Sequence, residues 1–406
     1  MNQKDREISA GTRWGSLLMM AAMLVLTPVL VPAQQPTSRE YPYIYKSTRA
    51  MGMGGAYTAV GGRVDSLFYN PAGLINIPRD KGWEINGFPL LVPLNISAEY
   101  GKNTMNFVDD ITDATDTGDL NGDGDEDDDQ LRAVNDVLTK YRGSNLHARL
   151  AVFPSLGKSY DRFAFGIGGI GSVRIDAVAH QGFGADGLLE VNADALYGGI
   201  GGVSFGVTEN VFAGISLKYL HRESLVHDFT AREVVEKQDT LDDFIMDELR
   251  TSGEALGADA GVLWKFAQDS ALRPSFGASV LNIGGLHFGR AGSIPMSVNA
   301  GFAINPSISW SRSLIVGMDY IDVLNNYKQD KDMVKRLRYG AELQLFDIWP
   351  VEMALRAGMY EGSPTLGADL RLLFITASYA MYTEEIGAFA GQDKDKRQLV
   401  TLNIGW

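Results

Sequence analysis

The residue types best placed to do chemistry in this 406-residue chain gather in one acidic stretch, Asp119-Leu120-Asn121-Gly122-Asp123-Gly124-Asp125-Glu126-Asp127-Asp128-Asp129-Gln130. Oxygen ligands at positions 1, 3 and 5 of a loop, Gly at 6 for the sharp turn and Asp at 9 suit a calcium ion, which would offset the repulsion among crowded carboxylates. Asp119, Asn121, Asp123, Asp125 and Asp127 are the candidate ligands. Position 12 holds Gln130 where a bidentate Glu is expected, so a solvated acidic tip stands as the equal alternative.

Other strings carry the letters of a catalytic motif without its setting. Gly166-Ile167-Gly168-Gly169-Ile170-Gly171 satisfies a dinucleotide fingerprint, yet it lies within a strand pattern and no helix follows to present its N-terminus to a pyrophosphate. Gly202-Val203-Ser204-Phe205-Gly206 has the letters of a nucleophile elbow, but again inside an alternating strand. His147, His180, His221, His227 and His287 show no metal-binding spacing and read as barrel-surface or loop residues, and the chain has no Cys. No catalytic residue is expected, and the chain reads as a non-enzyme.

The charge balance points the same way. The net charge is −14, and ten Asp and one Glu without a Lys or Arg fall between Asp109 and Asp129, so the remainder is close to neutral. With no basic patch interleaved with aromatics, nucleic acid is not expected as a partner.

The elements that must carry these residues are strands. Residues 1–33 read as an export signal: Lys4, Arg6 and Arg13 lead an apolar run from Leu17 to Val31, with cleavage near Ala33. The run is shorter than the ~20 residues of a spanning helix, and no later stretch reaches 18 apolar residues. From Trp83 onward period-two alternation recurs. It covers Leu146–Ser155, Arg162–Val178, Leu188–Val207, Val211–Val226, Ala255–Phe266, Arg273–Asn282, Pro295–Asn305, Ser313–Asp322, Arg338–Phe346, Val351–Tyr360, Thr365–Leu372 and Phe374–Tyr382. With one strand near 83–100 and a last one carrying Val400, Leu402, Ile404 and Trp406 on one face, the total is about fourteen.

Each segment is near the ~9–11 residues that a tilted strand needs to cross a bilayer, so the expected fold is an all-β transmembrane antiparallel barrel. Trp264, Phe266, Trp310, Tyr320, Trp349, Tyr360, Tyr382 and Trp406 lie near strand ends, where interfacial girdles belong. Glycines inside strands mark places where another backbone comes close. Two charged loops, near 102–145 and 227–254, carry helical patterns over Asp128–Tyr141 and Thr230–Leu249.

The most specific string runs from Arg49 to Leu74. It is Gly-rich, with Gly54-Gly55-Ala56, a short helical stretch near Asp65–Tyr69, and a stop at Asn70-Pro71-Ala72-Gly73. This string resembles the N-terminal hatch of the FadL-like superfamily of long-chain fatty acid transporters, and within it the branch of PorV-type and TraF-like outer-membrane proteins. Leu355-Arg356-Ala357-Gly358-Met359-Tyr360 and Tyr382–Gln392 add a C-terminal match.

The resemblance implies a barrel of about 14 strands over 81–406, plugged by a hatch over 34–80, in the outer membrane of a Gram-negative-type bacterium. Gly54, Gly55, Asn70, Pro71 and Ala72 match the hatch and take a structural or gating role. It implies passage of hydrophobic small molecules, or instead a PorV-like scaffold for secreted or surface proteins that uses the long loops. Outer-membrane lipid and the barrel assembly machinery follow as partners, with Trp406 resembling the C-terminal assembly signal.

Overall fold

The computed structural model describes residues 40–87, 95–116, 126–181, 187–236, 250–306, 313–328 and 332–405. The signal at 1–33, the calcium ligands Asp119, Asn121, Asp123 and Asp125, and Trp406 therefore lie outside the described residues. Asp127 falls in the first turn of a helix.

Fourteen antiparallel strands close into one ring. Two are interrupted: β1 consists of Glu84–Asn86 and Asn95–Gly101, and β2 of Asn145–Val152 and Ser155–Ser159. Then follow β3 (Phe163–Gln181), β4 (Gly187–Gly206), β5 (Val211–Thr230), β6 (Thr251–Lys265) and β7 (Ser275–Leu281). The ring continues through β8 (Ser297–Ile304), β9 (Ser313–Tyr320), β10 (Leu337–Ile348) and β11 (Val351–Tyr360). It ends with β12 (Ser363–Leu372), β13 (Ile375–Glu385) and β14 (Lys394–Ile404). Each strand pairs with its sequence neighbour, and β14 pairs back to β1 through Val400↔Ala98 and Leu402↔Ile96, which closes the barrel.

The alternation read from the sequence sorts side chains as a barrel in lipid requires. Val400 and Leu402 are exposed on the outside, while Thr401 between them is buried. Ile215, Leu217, Leu256, Val316, Leu366 and Leu370 add to the same apolar outer band. No helix among the described residues is long and apolar enough to cross a membrane.

The strands differ in height. β3, β4 and β5 run 19 to 20 residues and β8 runs 8, so three neighbours overshoot the ~9–11 residues of a crossing. The overshoot rises at the long-loop end, where α2 (Thr104–Thr115), α3 (Glu126–Lys140) and α4 (Ala231–Glu236) cover it. Phe107, Val134 and Leu138 pack there against Ala177 and Ala179, residues of β3 that share the outward face of Ile167.

Several boundaries differ from expectation for identifiable reasons. β5 runs to Thr230 and β6 begins at Thr251, which trims the second long loop at both ends. The helix expected over 230–249 is described only as α4, and α2 has no counterpart in the expected pattern. β2 breaks at Phe153-Pro154 because Pro154 has no N–H to give to a neighbouring strand. Tyr360 and Tyr382 are not girdle residues: each is 1% exposed and faces the lumen, where buried carboxylates take their hydroxyls.

Candidate functional site

The described N-terminal residues from Glu40 to Ile77 touch strands around the whole ring, which places them inside it. α1 (Thr48–Gly52) lies against β11, β12 and β13, and the two short 3-10 helices Val64–Phe68 and Pro71–Asn76 lie against β2 to β6. After α1 the chain turns through Gly54 and Gly55, both at positive φ. A Cβ on Gly54 would stand 2.5 Å from the Met359 carbonyl oxygen.

The wall answers with glycines of its own. A Cβ on Gly261 of β6 would stand 2.0 Å from Asn70 Oδ1, and one on Gly214 of β5 would stand 2.2 Å from the Ala72 nitrogen. Asn70 ties segment and wall together, since its Nδ2 donates to the Thr58 and Val262 carbonyls at 2.8 and 3.1 Å and its Oδ1 accepts from the Ala72 N–H at 3.0 Å. The first 3-10 helix ends at Phe68, so the helical stretch does stop ahead of Asn70-Pro71, as expected. Asn70 caps the second 3-10 helix, and Pro71, whose missing N–H costs nothing at a first turn, begins it. Ser204, the motif nucleophile, is fully buried in β4 and donates to the Ala72 carbonyl at 3.0 Å.

Buried charges hold the same segment. Glu342 of β10 accepts from Arg49 Nε and Nη2 at 2.8 and 2.7 Å and from Arg356 Nε at 2.6 Å. Arg356 continues to Asp369 with a bidentate pair at 2.7 and 2.6 Å, and Arg63 reaches the same carboxylate at 2.9 Å. The ladder therefore alternates in sign from segment to wall and back. Asp319 of β9 accepts the backbone N–H groups of Tyr57 and Thr58 at 2.7 Å each.

A second network sits nearer the long-loop end. Lys46 Nζ meets Glu40 at 2.7 Å, Glu384 at 2.8 Å and Glu99 at 3.5 Å, and Arg397 meets Glu40 at 2.9 Å and Glu99 at 3.2 Å. Burial alone would lower Lys46, but the Glu384, Glu40 and Glu99 carboxylates outweigh it and hold the ammonium well above the ordinary lysine range.

His147, expected at a surface or in a loop, is 1% exposed and lies in this network, 3.0 Å from Glu99 and 2.5 Å from Asp176. Its carboxylates come from adjacent strands, which local spacing could not show. The ligand atoms of Glu40, His147 and Asp176 lie close enough together for a metal ion. However, Lys46, Arg397 and Arg174 already neutralise those carboxylates, so the cluster is an ion-pair network rather than a preferred cation site.

Where β2 breaks, the wall is thin. On the lumen side the Phe153 ring packs against Phe68 and Tyr45, with centroids 4.9 and 5.2 Å apart. Phe153 also borders a polar cavity of about 250 Å³ at the short-turn end, whose lining includes Arg63, Glu84, Arg371 and Asn403. On the outer face, next to the break, an apolar recess of about 700 Å³ is lined by Pro154, Leu156, Ile167, Leu217 and the bare backbone at Gly169 and Gly199. A Cβ on Gly168 would stand 2.5 Å from the Phe153 ring, so little more than one aromatic side chain separates the two sides.

The family described as F plasmid transfer operon, TraF, protein matches residues 67–284, more than half of the chain. No curated protein sequence matches it. Among solved structures, a TodX monoaromatic hydrocarbon channel mutant superimposes with a TM-score of 0.50 at 11% identity, covering 89% of this chain and 99% of its own. The Ralstonia pickettii toluene transporter TbuX aligns at 0.47 and 10% identity, over 90% of this chain and 99% of its own. A Pseudomonas aeruginosa FadL homologue aligns at 0.37 and 11% identity, over 93% and 99%. At 11% identity the likeness to the TodX channel is one of fold alone, a closed antiparallel barrel.

Proposed function

This chain belongs to the family described as F plasmid transfer operon, TraF, protein, and from that premise and the barrel's geometry we propose that it serves in the outer membrane as a conduit for hydrophobic small molecules, closed in this state. The observation that carries the reading is the β2 break, where Phe153 packs on the lumen side and its neighbour Pro154 lines an apolar recess on the outer face. A hydrophobic solute gains by moving from the lumen sideways into acyl chains rather than downward into water. The buried N-terminal segment then acts as a hatch, with Asn70, Gly54 and Gly55 setting its seat and the Arg49–Glu342–Arg356 ladder its latch.

The test is uptake of toluene and of a long-chain fatty acid by liposomes containing the purified protein, with Phe153→Ala and deletion of 34–80 as comparison. The reading expects faster uptake with the protein present and faster still with Phe153→Ala; rates equal to those of empty liposomes for all three forms would overturn it. Comparing the two solutes gives the specificity.

A second reading, a scaffold for secreted or surface proteins, draws support from the lumen being packed with satisfied ion pairs. Crosslinking in outer membranes that recovers one defined partner, together with silent liposomes, would favour it.

A further inference from the structure

The outward face of β14 and β1 changes character twice on the way to the long-loop end. Over the bilayer it is apolar, with Val400 beside Ala98 and Leu402 beside Ile96. At the next level Gln398 Oε1 accepts the Tyr100 and Tyr379 hydroxyls at 3.3 and 3.2 Å, which seats two aromatic rings where lipid headgroups begin. Beyond that level the face is basic. Lys396 lies one outward position further, ~7 Å along the strand, with Lys102 alongside it on the β1 side and Lys394 beyond.

All three lysines are exposed, and none is ion-paired among the described residues. The acidic side chains beside them are held by other groups. Glu385, opposite Lys394, accepts the Gly387, Gly391 and Asp393 N–H groups, Asp393 accepts from Asn145, and Asp395 faces the lumen and accepts from Arg397. By contrast Lys46, Lys81, Lys140 and Lys218 each meet a carboxylate at 2.6 to 3.0 Å. In a chain of net charge −14, three cations crowded on one face without an anion run against the trend. Lys102 and Lys396 stand side by side on neighbouring strands, an arrangement that costs stability until an anion comes between them.

We propose that this patch binds the phosphorylated headgroup of an outer-leaflet lipid, with the three lysines around a phosphomonoester and the acyl chains along Val400, Leu402 and Ile96. A phosphomonoester carries about −1.5 to −2 charge and three strong acceptor oxygens, which suits ammonium groups that act as point charges with three donors each. A zwitterionic headgroup brings no net charge to offset theirs. Gln398, whose Oε1 is taken by the tyrosines, is left with its Nε2 to donate to a headgroup oxygen. The patch lies where β14 meets β1, so a lipid bound there spans the seam that closes the ring.

The test titrates the full-length protein in a non-ionic detergent with diphosphoryl lipid A and, separately, with dioleoylphosphatidylcholine, and counts bound lipid by native mass spectrometry. Each lysine near a charged lipid surface is worth a factor of about five. Lys102→Gln, Lys394→Gln and Lys396→Gln therefore each weaken lipid A binding about fivefold, and the three together about a hundredfold. Lys102→Arg, Lys394→Arg and Lys396→Arg together bind lipid A like wild type. Phosphatidylcholine binds weakly and equally to every form, and sodium phosphate added at constant ionic strength leaves lipid A bound. Equal lipid A affinity in wild type and the triple glutamine variant overturns the proposal, as does phosphatidylcholine held by wild type as tightly as lipid A. Displacement of lipid A by free phosphate overturns it too, since the patch is then a simple anion site. The single variants decide if the triple variant fails to fold.

Discussion

Removing Glu342 strands two guanidinium groups at once. Its carboxylate is the only group in the ladder that bonds both Arg49 of the segment and Arg356 of the wall. All three side chains are at most 8% exposed, with Arg49 and Glu342 bordering the polar cavity at the short-turn end. Breaking a buried pair by deleting one partner costs about 3–5 kcal/mol. Arg49 keeps the Tyr57 hydroxyl and the Gly61 carbonyl, and Arg356 keeps Asp369, which places Glu342→Ala near the lower end. At ~1.4 kcal/mol per factor of ten, the segment's opening equilibrium shifts by roughly two orders of magnitude. Arg49→Met is milder, because Glu342 still has Arg356.

Hydrogen exchange with mass spectrometry on protein in detergent micelles reads this directly. Amides over 49–60 should exchange about a hundredfold faster in Glu342→Ala, with a smaller change in Arg49→Met and β5 to β8 unaffected. Unchanged protection over 49–60, or loss spread evenly over the wall, would refute the idea that the ladder latches the segment.

Gly261→Ala and Gly214→Ala should leave heat-modifiable migration of the barrel intact but render the segment sensitive to protease, because each new methyl would overlap the backbone or side chain at Asn70-Ala72; an undigested segment would contradict that seat. Leu138→Ala should cost about 2–5 kcal/mol of local stability and release the helical cap, seen as faster exchange over α2 and α3 with the ring unchanged. Lys46→Met, which leaves Glu40, Glu99 and Glu384 facing one another with less positive charge between them, should destabilise the mouth end. A lower midpoint than wild type in a thermal melt at neutral pH checks it, and an unchanged one contradicts it.

What the sequence made legible follows from period. A strand with lipid on one side and a packed lumen on the other must alternate, so a segment such as Val351–Tyr360 is recognised from its own pattern and is found with its expected ends. Pairing partners were not legible. Arg49 and Glu342 are separated by 293 positions, and only ring closure brings them together. The same applies to His147, whose carboxylates Glu99 and Asp176 arrive on the two flanking strands. Alternation also leaves the face of a strand-end aromatic undecided, which is why Tyr360 and Tyr382 pass for girdle residues until their hydroxyls are seen on Glu384 and Glu99. Asn70 stood out by its neighbours, whereas its contact with Val262 did not.

The unequal strand lengths make the barrel's rim a slope. β3, β4 and β5 stand some ten residues taller than β8, roughly 30 Å along the chain at ~3.3 Å per residue, with three helices buttressing the high side. Among the described residues the rim is high over that quadrant and low from β8 to β14, so a bulky visitor meets this protein differently from its two sides.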